Sequence, residues 1–355
     1  MGDAEYVFYE ELDMDKKIID NIVWWIPIKK LRNNIRELLL YFVELYTYIK
    51  NDVDNVNNIL EIKFSNKFPI YFKDIYKISN YHIPSVCTSQ ICNQEFFGLP
   101  LFQYWYFYIE YAKGNKNISD IPLHRKWWEW IYIIHALYEN NCLQEGKKGL
   151  GFGVGTEFLT ALFASMGCNI LATDLDANDE RANHWFLYDE NARNNMKLLN
   201  KDKICDDEIF NKNVSFMPLD MNNIPDDLND FDFNWSACAL EHIGGLENSI
   251  DFLINNLKTL KSGGIAVHTT EFNLSSNDDT ILEPNLVLFR EKDIINAIDK
   301  IEKLGHYVYP LNLNKGTYIA DNYIDVPPYY RNNAHLKLKV GDYITTSIGI
   351  IIKKK

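Results

Sequence analysis

The sequence predicts an α/β protein, a Rossmann-like doubly wound sheet of seven strands preceded by a mainly helical N-terminal region. Three observations carry that expectation. From Lys147 onward, short apolar runs alternate with amphipathic stretches of helical period. Gly151, Gly153 and Gly155 alternate with apolar residues where the first strand would turn into the first helix. Asp174 follows about 20 residues later, at the tip of the second apolar run, the spacing of a nucleotide-binding β-α-β unit.

The elements follow in order. Before residue 146 the chain is aromatic-rich, laced with Asn and Lys, and lacks regular alternation. Leu31, Ile35, Leu38, Leu39, Phe42 and Ile49 recur at helical spacing and predict one long helix from Leu31 to about Lys50. The Asn-rich run 51–58 reads as a linker. HRKWWEWIYIIHALYEN predicts a second helix just ahead of the glycine loop. Residues 1–145 are thus expected to form an accessory or cap region, and 146–355 the α/β domain. Strands are predicted at KGLGF, NILATD, VSFMPLD, FDFNWSA, GIAVHTT, HYVYPLNL and YITTSIGIII. The first intervening helix would bury Phe158, Leu159, Leu162, Phe163 and Met166. The second would carry Trp185, Tyr188, Ala192 and Leu199, and a later one Leu246, Ile250, Leu253, Ile254 and Leu257. EKDIINAIDKIEKLG predicts one more helix, and Ser262–Gly264 should mark the stop between helix and strand.

Composition narrows the function classes. The 355 residues carry a net charge of −13, against a nucleic-acid backbone as the main partner, because phosphate binding needs clustered Lys and Arg. The six cysteines are scattered, with no CxxC and no His pair to complete a zinc site. No apolar run approaches the ~20 residues that span a bilayer. A soluble protein of a reducing cytoplasm is expected.

A strand that turns into a helix through glycines lets backbone approach a ligand, and the helix N-terminus favours an anionic group. Asp174 is then placed to accept hydrogen bonds from ribose hydroxyls, in a dinucleotide or in S-adenosylmethionine alike. The loop spaces its glycines at every second position, unlike G-x-G-x-x-G, and no Tyr-x-x-x-Lys pair follows it.

Taken together, GFGVG, Asp174, Leu219-Asp220-Met221, FDFNWSACALEHIGGLE and LKSGGIAVHTTEFN resemble the class I S-adenosylmethionine-dependent methyltransferases, in order and spacing over about the last 210 residues. The resemblance implies that S-adenosyl-L-methionine is the cofactor. Gly151, Gly153 and Gly155 would lie under its methionine part, Asp174 would take the ribose hydroxyls, and Asp220 the adenine amino group, with Met221 beside the ring. YITTSIGIII would be the antiparallel edge strand. One departure stands out. Where the family has an acidic residue two positions before the first loop glycine, this chain has Gly149. Glu157 and the HRKWWEW segment are the candidates to compensate.

Methyl transfer is an in-line displacement in which the protein aligns the acceptor and takes its proton. Candidates lie at the carboxyl ends of the fourth and fifth strands: Glu241 and His242, then His268, Glu271 and Asn273. His268 and Glu271 are assigned as base and orienter, with two ligands of a divalent metal as the alternative reading. His242 is the third catalytic candidate, with shaping the cofactor pocket as its alternative; no metal is assigned. His335 would border the acceptor site. Trp24-Trp25 beside Lys29, Lys30, Arg32 and Arg36 is the one substrate clue: the segment 18–36 suits peripheral contact with an anionic membrane face and resembles N-terminal segments of bacterial surface-polysaccharide enzymes. The expected acceptor is a small molecule or glycan, a sugar hydroxyl of a surface-polysaccharide precursor. The alternatives are an NAD-dependent sugar oxidoreductase or epimerase, and a non-catalytic methyltransferase-like partner protein.

Overall fold

The computed structural model describes residues 87–115, 121–182, 191–192, 194–329 and 334–355, all within one compact unit spanning Pro69–Lys355. The helix expected from Leu31, the linker 51–58, the basic segment 18–36 and the Trp185–Tyr188 part of the second α/β helix lie outside the described residues.

A ten-stranded sheet organises the unit. Within it, β2 (Lys148–Gly151) is flanked in parallel by β3 (Asn169–Asp174) and β5 (Phe231–Ala237). β4 (Val214–Pro218) continues beyond β3 and β6 (Leu260–Asn273) beyond β5, both parallel. The order therefore reverses on either side of β2, making its C-terminal end a topological switch point. β7 (Leu282–Glu283) and β8 (Leu286–Val287) form a separate hairpin. β12 (Tyr343–Lys353) pairs antiparallel with the short β11 (Leu338–Val340) and with β6, the latter from Thr345↔Asn273 to Lys353↔Ile265. Both faces of β6 and β12 are covered, so they read as continuous apolar runs such as Ile348–Ile352.

Two details depart from the expected elements. The predicted HYVYPLNL strand is broken at Tyr309-Pro310 into β9 (Tyr307–Val308), which pairs with β12, and β10 (Leu311–Asn312). β10 instead pairs with β1 (Ser89–Ile91), a strand from well before the glycine loop that lies against the far side of β12. Proline has no N–H to give to a ladder, which accounts for the break. Ser262–Gly264 falls inside β6, not before it. The pairing jumps from Phe231↔Leu260 to Phe233↔Ile265, with Gly263 at φ +79° in the looped-out turn. Of the second α/β helix, Ala192 and Leu199 are buried as expected, but Leu199 sits in a short 3₁₀ turn.

The helices supply the two covering layers. α1 (Gln94–Phe97) and α2 (Pro100–Ala112) precede α3 (Arg125–Glu139), which packs on β5, β6 and β12 and stacks Trp128 on Tyr132 at 4.8 Å. α4 (Leu159–Ser165) follows the glycine loop, and Phe158, Leu159, Leu162, Phe163 and Met166 are buried together as the periodicity predicts. α5 (Asp207–Asn213) leads into β4. On the opposite face, α6 (Leu246–Asn255) and α7 (Glu291–Lys303) bury Ile250, Leu253, Ile294, Ala297 and Ile301 against Ala266, Ile348, Ile350 and Ile352. α7 places Glu291 and Asp293 in its first turn and Lys300 and Lys303 in its last, matching the helix dipole.

Candidate functional site

The glycine loop is held at both sides before any ligand is considered. Phe152 N donates to Trp235 O of β5 at 2.9 Å, and Val154 N to Thr173 O of β3 at 3.0 Å. Gly153 and Gly155 have φ of +55° and +56°, a backbone that side-chain-bearing residues rarely adopt. The two earlier glycines are dictated by packing. A Cβ at Gly151 would fall 2.5 Å from Trp235 Cζ2. At Gly149 it would fall 2.3 Å from Phe233 Cζ and 2.8 Å from Ile170 Cδ1. Phe233 and Ile170 therefore fill the space in which the resembling family carries an acid, and no carboxylate fits there.

Asp174 ends β3 with 8% of its surface exposed. Its Oδ1 accepts from Leu175 N at 2.8 Å and its Oδ2 from Ala192 N at 3.0 Å. Burial pushes its carboxyl up to about 6, against the pull of the Ala192, Leu175 and Gly155 amides, and the Glu157 charge adds to the rise. Asp220 lies just beyond β4. It accepts from Asn222 N at 2.9 Å and from Arg181 Nη2 at 2.9 Å. Met221 is buried, and its sulfur would lie 3.4 Å from a Cβ on Gly153. Loop, Asp174, Asp220 and Met221 thus border one region at the ends of β2, β3 and β4.

The three candidate catalytic residues do not come together. His268 and Glu271 are three apart on one strand, and successive strand side chains alternate between faces, so they point to opposite sides of the sheet. His268 faces α6: its Nδ1 lies 2.8 Å from Ser236 Oγ, and its ring meets Phe252 edge to face at 5.3 Å. It is fully buried and burial pushes it down to about 3, so it is neutral at physiological pH. The expected His268–Glu271 base and orienter pair is therefore absent. His242 lies in a 3₁₀ turn after β5, with Nδ1 2.6 Å from Asn285 O and Nε2 3.8 Å from Glu241 Oε1.

Glu271 faces α3 and enters a network of ionisable side chains that sequence reasoning had not assembled. Arg125 ion-pairs with it, and Thr345 Oγ1 donates to its Oε2 at 2.7 Å. Lys126 Nζ lies 3.0 Å from Glu129 Oε2 and 3.2 Å from Glu157 Oε1. Ser347 Oγ donates to Glu129 Oε1 behind them. The opening turn of α3 therefore carries two cations where the helix dipole favours anions. Glu129, Glu157 and Glu271 hold them there, and the His124 side chain caps the turn by accepting from Lys126 N at 3.1 Å.

Beyond the end of β5, Glu241 reaches toward this network. Thr270 Oγ1 donates to its Oε2 at 3.0 Å, and Cys238, Glu241 and Glu271 each bring one polar atom within 4.8 Å of the others. Burial pushes Glu241 up to about 8, and the Glu271 charge beside it adds to the rise. Cys238 turns the chain here at φ +49°, its N–H held by Thr269 O at 3.0 Å. His335 borders the same region. Its carbonyl accepts from Arg125 N at 3.0 Å, its ring stacks on His124 at 4.5 Å, and its Nδ1 lies 2.6 Å from Asp325 Oδ2.

HRKWWEW carried the signal for half of this network: basic residues opening a helix with Glu129 one turn on. Thr345, Ser347 and Asp325 carried none. Their roles depend on the β6–β12 register and on a loop bridge between His124 and His335.

No family model matches the sequence, and no curated protein matches it. Among solved structures, the chain is similar to the methyltransferase domain of bacterial CtHen1-CN, with 14% identity over 63% of this chain and 96% of that one, at a TM-score of 0.39. It is also similar to a TehB-like SAM-dependent methyltransferase from Corynebacterium glutamicum, with 15% identity over 72% and 98% of the two chains, at 0.37. TehB from Haemophilus influenzae shares 16% identity over 70% and 67%, at 0.41. Among the described residues, no helix is long and apolar enough to cross a membrane.

Proposed function

We propose that this protein is an S-adenosylmethionine-dependent methyltransferase. One observation carries the reading: the glycine loop, Asp174 and Asp220 meet at the switch point of the sheet, beside a buried network of ionisable side chains over the ends of β5 and β6. Open α/β sheets take ligands at that crevice. The residues present fit the cofactor. A carboxylate oxygen has room for two donors, so Asp174 can accept a ribose hydroxyl while keeping a backbone amide. Asp220 offers an acceptor to an adenine amino group, and Met221 an apolar face. When bound, S-adenosylmethionine supplies a methyl group on a sulfonium to an oxygen or nitrogen nucleophile.

The chain's own part is to align the acceptor and receive its proton. Glu241 is the group suited to that, since a carboxylate whose carboxyl titrates at about 8 is a far stronger base than an ordinary one. Glu271, held by Arg125 and Thr345, supplies the neighbouring charge that keeps Glu241 basic. His268 stays within the fold and serves Ser236. We propose as acceptor a sugar hydroxyl of a surface-polysaccharide precursor, handled at the inner membrane face through the segment 18–36. Carboxylates gathered over the ends of β5 and β6, which can accept from sugar hydroxyls, support a sugar.

Calorimetric titration with S-adenosylhomocysteine, with NAD in parallel, tests the reading. Binding of the first alone, weakened about tenfold to hundredfold in Asp174→Asn, is the expected result, the loss of one charge-assisted hydrogen bond. Binding of NAD alone would point to a dehydrogenase or epimerase. Binding of neither would leave the partner-protein alternative.

A further inference from the structure

Resting on the methyltransferase reading, we propose that the Lys126–Glu157 ion pair is the receptor for the α-amino-acid end of the cofactor, with Glu157 taking its ammonium and Lys126 its carboxylate.

The geometry fits this exchange in three respects. First, position: Glu157 lies two residues beyond Gly155, and its amide donates to Val154 O within the loop at 3.3 Å. Its charge is felt at Asp174 on one side, while Lys126 is felt at Cys238 and Glu241 on the other. The pair therefore stands between the ribose end of the crevice and the ionisable network over β5 and β6. Second, exposure: Glu129, directly behind Lys126, is fully buried, whereas the Lys126 and Glu157 side chains keep 31% and 21% of their surface. They form the accessible front of an otherwise buried network. Third, charge: Lys126 is flanked by two carboxylates, at 3.0 and 3.2 Å. An incoming zwitterion lets Lys126 keep Glu129 while its second partner becomes the ligand carboxylate. Glu157 gains an ammonium in return, so no charge is left without a counter-ion. Burial pushes the Glu157 carboxyl up even beside Lys126, and the Glu129 charge adds to the rise.

This also accounts for Gly149. Phe233 and Ile170 occupy the space where an acid on β2 would stand, and the acidic function passes to Glu157, in the loop two residues before the next helix. Its partner comes from α3, which adds a cation that a strand-borne acid alone would not supply.

The test compares ligands on the full-length protein by calorimetry. S-Adenosylhomocysteine carries the amino-acid end, and 5′-methylthioadenosine shares its adenosine and sulfur but lacks that end. Glu157→Gln and Lys126→Met should each weaken the first about tenfold or more and change the second less than about twofold. On the unaltered protein, N-acetyl-S-adenosylhomocysteine, which has no ammonium, should bind about tenfold or more weakly, so the outcome does not depend on the variants folding. Equal losses for both ligands in the variants, or no preference for S-adenosylhomocysteine over its N-acetyl derivative, would overturn the assignment and leave the methyltransferase reading intact. Failure of the unaltered protein to bind either ligand would overturn both.

Discussion

The two sides of β6 solve opposite problems within four residues. On the α6 side, His268 sits among apolar groups with Ser236 as its hydrogen-bond partner, and burial keeps it neutral. On the α3 side, Glu271 is also buried but lies within a set of ionisable partners: Arg125 in direct contact, then Lys126, Glu129 and Glu157 along α3 and the loop. A titratable side chain can be taken out of water by giving up its charge or by bringing its counter-charge along. The first gives a packing residue. The second gives a site with stored electrostatic potential, and that is where chemistry is expected. Residue type alone points the other way, since histidine is the commoner base.

Removing a counter-charge should have the largest effect. Arg125→Met should destabilise the fold by about 3–5 kcal/mol in denaturant titration, because Glu271 would be left buried without its cation. Adding Glu271→Gln to that variant should recover most of the loss. A double variant no more stable than Arg125→Met would mean that the pair contributes little. His268→Leu is expected to cost less, about 1–2 kcal/mol, for leaving Ser236 Oγ without its partner. It should change S-adenosylhomocysteine affinity less than about twofold. A larger change in affinity would return His268 to the candidate site.

The smallest effect is read through pH. A Glu carboxyl that titrates at about 8 in the fold and near its ordinary value when unfolded holds its proton more tightly in the fold. The stability it contributes is complete below the unfolded value and is lost as pH rises toward 8. His268 acts in the opposite sense. Depressed to about 3, it makes stability rise with pH until the unfolded imidazole has lost its proton, near 6.5. Between about pH 6.5 and 8, then, Glu241 acts alone of these two. Glu241 alone should take about 1.5 kcal/mol from the unaltered protein across that window, and Glu241→Gln should lose less. Identical slopes would show that Glu241 is ionised throughout.

The strands, the glycine loop and the tip position of Asp174 were legible in the sequence because each depends on local periodicity or on spacing along one chain segment. The break at Tyr309-Pro310 was marked by the proline itself. The insertion of β1 beside β12 was not, because SQI is too short to signal a strand and its partner lies more than 250 residues away.

Local sequence was enough for the alternation of strands and helices, the glycine loop and the acidic side chains at the strand ends beside it. The tertiary structure decided which titratable groups share a pocket. Strand alternation separated His268 from Glu271, the β6–β12 register brought Thr345 and Ser347 to the carboxylates, and the docking of α3 set Arg125 and Lys126 among them. The physical reason is one of range. Backbone preference acts over a few residues, while Coulomb and hydrogen-bond energies depend on separations in space that only the packed sheet defines.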